Sequence, residues 1–488
     1  MNFAQSVKNH YDSYNTNTKL TENGAVAYST LGNPVLDLFS TIGALRPRSE
    51  NEIAKKFAAA YNANAILATK MLFYCGDIRN IGLGERRTFR ICLKWLASYH
   101  PDVVVKNLGL IPYFNRWDSI FQLIDTPCED EMWNLISAQL KEDAIEMQNH
   151  KSISLLAKWM PSQNASSQAT RALGVKAGNK LGLTPRNYRK MLSKMRKYLR
   201  IVERDMSANN WDAIKYDTVP SYAMKNYSAA FRCHDANRFQ EYLNRVKSGE
   251  KKINASTLFP YNLVHKVWHK PDEVTELQWK SLPNYVEGEN NFIVMADVSG
   301  SMYGRPIETS IGLATYFAQH NKGDYHNLYM TFTDNPHFIT LNDNDSLYKT
   351  VEKVLNTDVG YSTNLEAAFN EVLNHARQHK ISPNDMPKAI IVISDMEIDP
   401  YFRHPEKLNF VQAMRLRFAK YGYALPKLVL FNVESRQDTF LTYEEDTLFV
   451  SGQSTLTFKQ LCTNLSGKTA YDLMLETLNN PCYDCVNV

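Results

Sequence analysis

Asp297, Ser299 and Ser301 lie in FIVMADVSGSM, Thr363 lies in GYSTNL, and Asp395 lies in AIIVISDME. Asp297 and Asp395 each close a short run of branched apolar residues, so each is expected where a buried strand ends and a loop begins. Thr363 is likewise expected where a strand ends and a loop begins. Short oxygen ligands from separate loops are what a hard divalent cation requires: Mg²⁺, or another such as Mn²⁺ or Ca²⁺. Fewer protein ligands than an octahedron needs would leave a position open, and two acids with three hydroxyls leave the ion only partly neutralised. An outside anion from a partner is then attracted to the open position. Gly300 is expected to let the loop turn sharply around the ion.

Enzymatic readings of the same residues lack their partners. An aspartyl nucleophile at Asp297 would want an acid two places on, and Ser299 cannot protonate a leaving group as a carboxylic acid would. No G-x-S-x-G elbow supports Ser-His-Asp hydrolysis. No P-loop supports nucleotide hydrolysis. The expectation is a binding protein that is not an enzyme.

The elements that must position these residues change character near residue 290. Before it, EIAKKFAAAYNANAILATKMLFYC, RRTFRICLKWLASY and EDEMWNLISAQLKEDAIEM repeat apolar residues at helical spacing. Prolines at 34, 47, 101, 112, 127, 161 and 185 punctuate the pattern. Short helices with brief connections suggest a stacked, HEAT-like α-helical repeat. After EGENN (287–291), FIVMADVS, LYMTFT, AIIVISDM, KLVLFNV and TLFVSG alternate with PIETSIGLATYFAQH, SLYKTVEKVL, NLEAAFNEVLNHARQH and KLNFVQAMRLRFAKYG. Strands alternating with helices predict a Rossmann-like, doubly wound parallel sheet covered on both faces. Ligands bind such sheets beyond the carboxyl ends of the strands. The reading is therefore α plus α/β, with a helical region over 1–290 and an α/β domain over 291–488.

A second signal is TPRNYRKMLSKMRKYLRIVERDM, residues 184–206. Thr184 can cap a helix and Pro185 suits its first position. At 100° per residue, Arg186, Arg189, Lys190, Lys197, Arg200 and Arg204 share one side, flanked by Lys194 and Arg196. Tyr188, Met191, Leu192, Met195, Leu199, Val202 and Met206 take the other. A single helix would carry the charge over about 30 Å. Like charges four apart repel, so an anionic partner is expected, and nucleic-acid phosphate is the first candidate. An acidic protein patch, including this chain's own acidic C-terminal part, and a plain solvated face are the alternatives. Lys176 and Lys180, with Lys158 and Arg171, extend the basic region upstream. IRNIGLGERRTFR adds Arg79, Arg86, Arg87 and Arg90, and Trp159 and Tyr188 could stack on bases.

Taken together, D-x-S-x-S after a buried strand, a later Thr in a Gly-Tyr-Ser-Thr loop and a later Asp after another buried strand resemble the metal-ion-dependent adhesion site of von Willebrand factor A (vWA) domains, over roughly residues 290–465. The resemblance implies direct metal contacts from Ser299 and Ser301. It implies a direct or water-mediated contact from Thr363, mainly water-mediated or outer-acceptor roles for Asp297 and Asp395, and a remaining position that accepts a carboxylate or another oxyanion from a protein partner. A basic helical region followed by such a domain resembles the TROVE-type organisation of the Ro autoantigen and its bacterial relatives. Those proteins form a ring of helical repeats closed by the vWA domain and bind small or misfolded RNAs. A closer resemblance is to an uncharacterised family of viral, bacterial and plant proteins of the same layout. It is carried by LTENGAVAYSTLGNP, by the basic helix with ERDMSANNWDAIKYDTVPSYAMKNY, by FIVMADVSGSMYG and by IVISDMEID. It runs from about Leu20 to Leu465. These resemblances imply an RNA-binding, ribonucleoprotein-type protein, with a metal-dependent protein-interaction module as the other reading.

Bulk properties agree with a protein of this kind. The chain has 488 residues and a net charge of +4, which hides an asymmetry. Residues 151–210 hold thirteen Lys or Arg against two acids, while residues 291–488 hold sixteen against twenty-three. The polar start lacks a secretory layout and no apolar run approaches the roughly 20 residues of a membrane span, so a cytoplasmic location without membrane contact is expected. Seven cysteines, mostly isolated, make no disulfide framework. Cys482 and Cys485 form one C-x-x-C pair, too little to close a zinc site.

Overall fold

The computed structural model describes residues 17–286, 288, 290–357, 360, 362–399, 410–442, 444, 447–465 and 467–488. Glu287 and Glu289 of the expected boundary, Tyr361 of the threonine loop and residues 407–409 of the last expected helix lie outside the described residues.

The described chain opens with a hairpin of β1 (Thr18–Leu20) and β2 (Val26–Tyr28), paired antiparallel. Helices α1 (Pro34–Thr41), α2 (Glu50–Ala63) and α3 (Ala65–Gly76) follow. Asn33 caps α1, and Ser49 with Glu52 forms a capping box on α2. The long apolar pattern read through 52–75 is thus two helices, broken at Asn64, whose backbone is extended. Next come α4 (Arg86–Tyr99), α5 (Glu129–Gln148), α6 (Leu156–Trp159), α7 (Gln168–Lys180), α8 (Pro185–Tyr198) and α9 (Val202–Ser207). The N-terminal part is helical, as expected.

The C-terminal part holds a six-stranded sheet in the order β5-β4-β3-β6-β7-β8. Its strands are β3 (Phe292–Asp297), β4 (Leu328–Phe332), β5 (His337–Thr340), β6 (Ala389–Ser394), β7 (Lys427–Asn432) and β8 (Leu448–Ser451). All neighbours are parallel except β5, which runs antiparallel to β4. Every residue of β3, β6 and β8 is buried, as a sheet covered on both faces requires. The connecting helices are α10 (Pro260–Val267), before the sheet, then α11 (Arg305–His320), α12 (Leu347–Asn356), α13 (Leu365–Gln378), α14 (Phe410–Ala419) and α15 (Ala470–Leu478). No helix among the described residues is long and apolar enough to cross a membrane.

The change of texture at residue 290 marks the start of the sheet, but the compact units divide elsewhere. One unit joins the described residues up to Met71 with Leu258–Asp484; the other is Leu72–Thr257 with Cys485–Val488. In the first unit α1 packs on β8, and the backbone of Gly43 lies so close to Ser451 and Gly452 that an added Cβ would sit 2.5 Å from the Ser451 carbonyl oxygen. Tyr28 and Phe440 exchange backbone hydrogen bonds, and Arg48 and Lys56 both pair with Asp438.

Candidate metal centre and cationic face

Strands β3 and β6 are central neighbours, in register through Ala296 and Ile393. The chain leaves β3 toward β4 on one side and returns to β6 on the other. Their carboxyl ends therefore flank the switch point of the sheet, where α/β ligands bind. Asp297 ends β3 and Asp395 follows β6, so the register alone brings the two acids together.

Local bonds then orient them. Asp297 accepts the Ser299 amide at 3.0 Å and the Ser394 hydroxyl at 2.6 Å. The first bond bends the chain into the short 3₁₀ turn Gly300–Met302. The glycine with positive φ in this loop is Gly304, at 88°, not Gly300, so the expected role of Gly300 is corrected. The Ser299 and Ser301 hydroxyl oxygens are 3.2 Å apart, and the Thr363 hydroxyl donates to Ser299 at 3.2 Å. Thr363 lies between α12 and α13 with no strand before it among the described residues, which corrects the expected strand end; Asp399 holds its loop by accepting the Thr363 amide at 2.6 Å, while its own amide bonds the Thr363 carbonyl. Gly360 lets the same loop press on Thr333 and Asp334, where a Cβ would find atoms at 2.8 Å. Asp395 accepts the Glu397 amide at 3.1 Å and the guanidinium of Arg436, and the Ser301 hydroxyl beside it acts to lower its carboxyl pKa. Met396 between them is in the left-handed region, at φ 65°, a strained setting for a buried non-glycine residue.

All five residues predicted as ligands thus meet at one rim of the sheet. Asp297, Thr363 and Asp395 are fully buried and Ser299 nearly so. Burial, and then the charge of Asp395, pushes the Asp297 carboxyl up to about 7. Burial also raises Asp395, with Arg436 opposing it. Of the two buried acids only Asp395 has a guanidinium beside it, so the pair carries an excess of negative charge that a cation would relieve. The donors are all oxygen, three of them hydroxyls, which fits a small hard ion that keeps some of its water. Among the described residues no group of three or more His, Cys, Asp or Glu is arranged to hold a metal. The candidate centre has two acids and relies on hydroxyls for the rest. Ser394, Arg436 and Glu22 belong to its surroundings and went unnoticed in the sequence. Ser394 stands beside Asp395, whereas nothing local marks Arg436 or Glu22.

The basic segment divides differently from its prediction. Thr184 caps α8 and Pro185 opens it, as expected, but the helix stops at Tyr198. Arg200 takes φ 51° and Ile201 is extended before α9 begins. The continuous ridge over 184–206 is therefore corrected to a helix of 14 residues, about 21 Å, with Arg204 on another element. The apolar side is confirmed at Tyr188, Leu192, Met195 and Val202, all buried. Tyr188 also donates to the Pro161 carbonyl, so it is core and offers no stacking face.

The cations sort into two groups. Lys176 pairs with Asp125 and Glu129, Lys180 with Glu129 and Asp130, and Arg204 with Asp205. Arg196 turns inward and donates to the Ala157 and Met160 carbonyls and the Ser162 hydroxyl. Arg186, Arg189, Lys190, Lys194, Lys197 and Arg200 are exposed and have no acidic partner among the described residues. Upstream, α4 begins at Arg86, leaving Arg79 outside it. Arg90 and Arg116 share Asp118, and the Arg116 guanidinium lies 3.7 Å over the Trp159 ring.

Comparison with known proteins adds kinship without an activity. Residues 21–115 and 174–290 match a family model described as "Domain of unknown function (DUF2828)", and residues 291–472 match "Domain of unknown function (DUF7788)". The chain is similar to "Uncharacterized protein L728" of Acanthamoeba polyphaga mimivirus, at 28% identity over 484 residues, covering 90% of this chain and 83% of that protein.

Proposed function

We propose that this chain is a non-enzymatic binding protein whose C-terminal part is a vWA-type domain with a divalent-cation site. Asp297, Ser299, Ser301, Thr363 and Asp395 hold Mg²⁺ or a similar ion there, and a carboxylate from a protein partner completes its shell. The observation that carries this reading is the meeting of the five oxygen-bearing residues from three loops at the switch point of the sheet. When bound, the ion supplies charge and an open coordination position; the chain supplies orientation and the dry wall around it. The test is capture of partners by wild type and Asp297→Ala, each with and without chelator. Wild type loses its partners when chelated and the variant lacks them throughout. An identical set in all four samples overturns the proposal.

The exposed cations favour a second activity in the other compact unit: binding of RNA along α8. Six cations on a helix and its end, with no acidic partner among the described residues, repel one another unless an anion is present. Reversing Arg189, Lys190, Lys197 and Arg200 to Glu is expected to weaken binding of a single-stranded RNA oligomer. It should also flatten the dependence of log K on log salt by about 3. Fluorescence anisotropy over a range of salt reads both. Unchanged affinity and slope would end this reading and leave the metal-dependent one standing.

A further inference from the structure

The joined residues of LTENGAVAYSTLGNP and IVISDMEID are 374–377 positions apart in sequence, yet the structure brings them together. Thr21 donates its hydroxyl to the Ile398 carbonyl at 2.6 Å. The Glu22 amide donates to the Glu397 carboxylate at 2.6 Å, and the Asn23 side chain to the Glu397 carbonyl at 2.7 Å. Three consecutive residues between β1 and β2 are thereby pinned to the loop that carries Asp395. The pinning places the Glu22 carboxylate 3.5 Å from a terminal nitrogen of Arg436, the same nitrogen that holds Asp395. Glu22 remains about two-fifths exposed, whereas Asp395 is fully buried.

Arg436 is thus shared between an outer and an inner acid, and it is not saturated. Its Nε is buried and makes no hydrogen bond among the described residues. It also lies within electrostatic reach of Glu397 and Glu434. The Glu397 carboxylate is already taken by the Glu22 amide and the Thr439 hydroxyl, which leaves Glu22 as the second ion-pair partner. A guanidinium can bridge two carboxylates through separate N–H groups. A divalent ion seeking Asp395 must share it with this resident cation.

We infer that Arg436 and Glu22 are part of the metal site as a counter-ion relay: Arg436 competes with the metal for Asp395, and Glu22 receives Arg436 when the metal enters. This rests on the reading of Asp297–Asp395 as a divalent-cation site. The loop between β1 and β2 is then a determinant of metal affinity. The interaction energies typical of contacting charged groups set the scale of the expected effects, about threefold to tenfold in affinity.

The test is Mn²⁺ binding to the full chain, read from the electron paramagnetic resonance signal of free Mn²⁺ during titration. Arg436→Gln removes the competitor and should tighten binding about tenfold. Glu22→Gln keeps the backbone bonds of the hairpin but removes the receiving charge, and should weaken binding about threefold. In the double variant the Glu22 effect should vanish, because there is no guanidinium left to receive. A Glu22→Gln loss equal in both backgrounds is a simple field effect and overturns the relay. So does weaker binding in Arg436→Gln, which would make Arg436 a support for Asp395 rather than its competitor. If Arg436→Gln does not fold, Arg436→Lys replaces it: a single ammonium bridges two acids poorly, so the Glu22 effect should shrink, and an undiminished effect overturns the inference. Wild type that binds no Mn²⁺, matching Asp297→Ala, removes the metal reading itself. Wild type that binds Mn²⁺ with indifference to Glu22 removes the relay alone.

Discussion

Arg196 and Lys197 are neighbours on α8 and read alike in the sequence, yet they do different work. Arg196 points toward the 157–162 segment and satisfies two carbonyls and a hydroxyl there at 2.6–2.9 Å. Lys197 stands in solvent with no acidic partner among the described residues. Truncating Arg196 to Ala leaves half-buried acceptors without donors, a loss of about 1–3 kcal/mol. Lysine should not rescue it, because an ammonium lacks the fork that reaches three acceptors at once. Lys197→Ala should shift stability by no more than about 0.5 kcal/mol. Thermal or urea denaturation separates the two, and equal effects would mean that the inward turn of Arg196 is not what holds the segment. At this scale the sequence carries charge and phase but not direction. A long flexible side chain at the edge of a cationic stripe turns inward wherever backbone carbonyls are left without partners, and those lie on another element.

The same limit explains which elements could be read. Helix α4 matches its apolar pattern from Arg86 to Tyr99, and α5 runs from Glu129 to Gln148, because both repeat apolar residues for several turns. The five apolar runs of the C-terminal half became β3, β4, β6, β7 and β8, all parallel and enclosed. What escaped were β1, β2 and β5, of three or four residues. Strands so short have no measurable alternation, and their pairing is decided by a partner. The break between α8 and α9 escaped for another reason. Leu199 and Val202 keep the helical phase of Tyr188 and Met195 across Arg200, so periodicity passes through a stop that only the backbone reveals. The candidate centre was legible because its residues sit at the ends of strong strands, where topology assembles them. Arg436 was not, since it lies in the loop after β7 and gains meaning only once β6 and β7 are adjacent.

On the scale of the molecule, the C-terminal half that the sequence presents as a domain shares its compact unit with the N-terminal segment. Helix α1 buries Val35, Leu38 and Phe39, with Ile42 just beyond it, against β8, α2 and α15. Burial of four such side chains contributes on the order of 6–12 kcal/mol, comparable to the whole stability of an ordinary domain. Around this apolar contact, Arg46 donates to the Val433 carbonyl, Ser435 bonds the Ala44 carbonyl, and Arg48 and Lys56 clamp Asp438. A fragment of residues 291–488 would expose that face of β8 and leave Asp438 without its cations. We expect such a fragment to unfold without a cooperative transition, or to aggregate. A chain joining residues 17–71 and 258–484 through a flexible linker should melt as one unit, because it restores each of these contacts. Differential scanning calorimetry of the two proteins decides the matter. A sharp, full-enthalpy transition in the 291–488 fragment alone would mean that the N-terminal segment decorates the sheet rather than completing its core. In that case the hairpin that carries Glu22 would be a detachable neighbour of the candidate centre instead of a fixed wall.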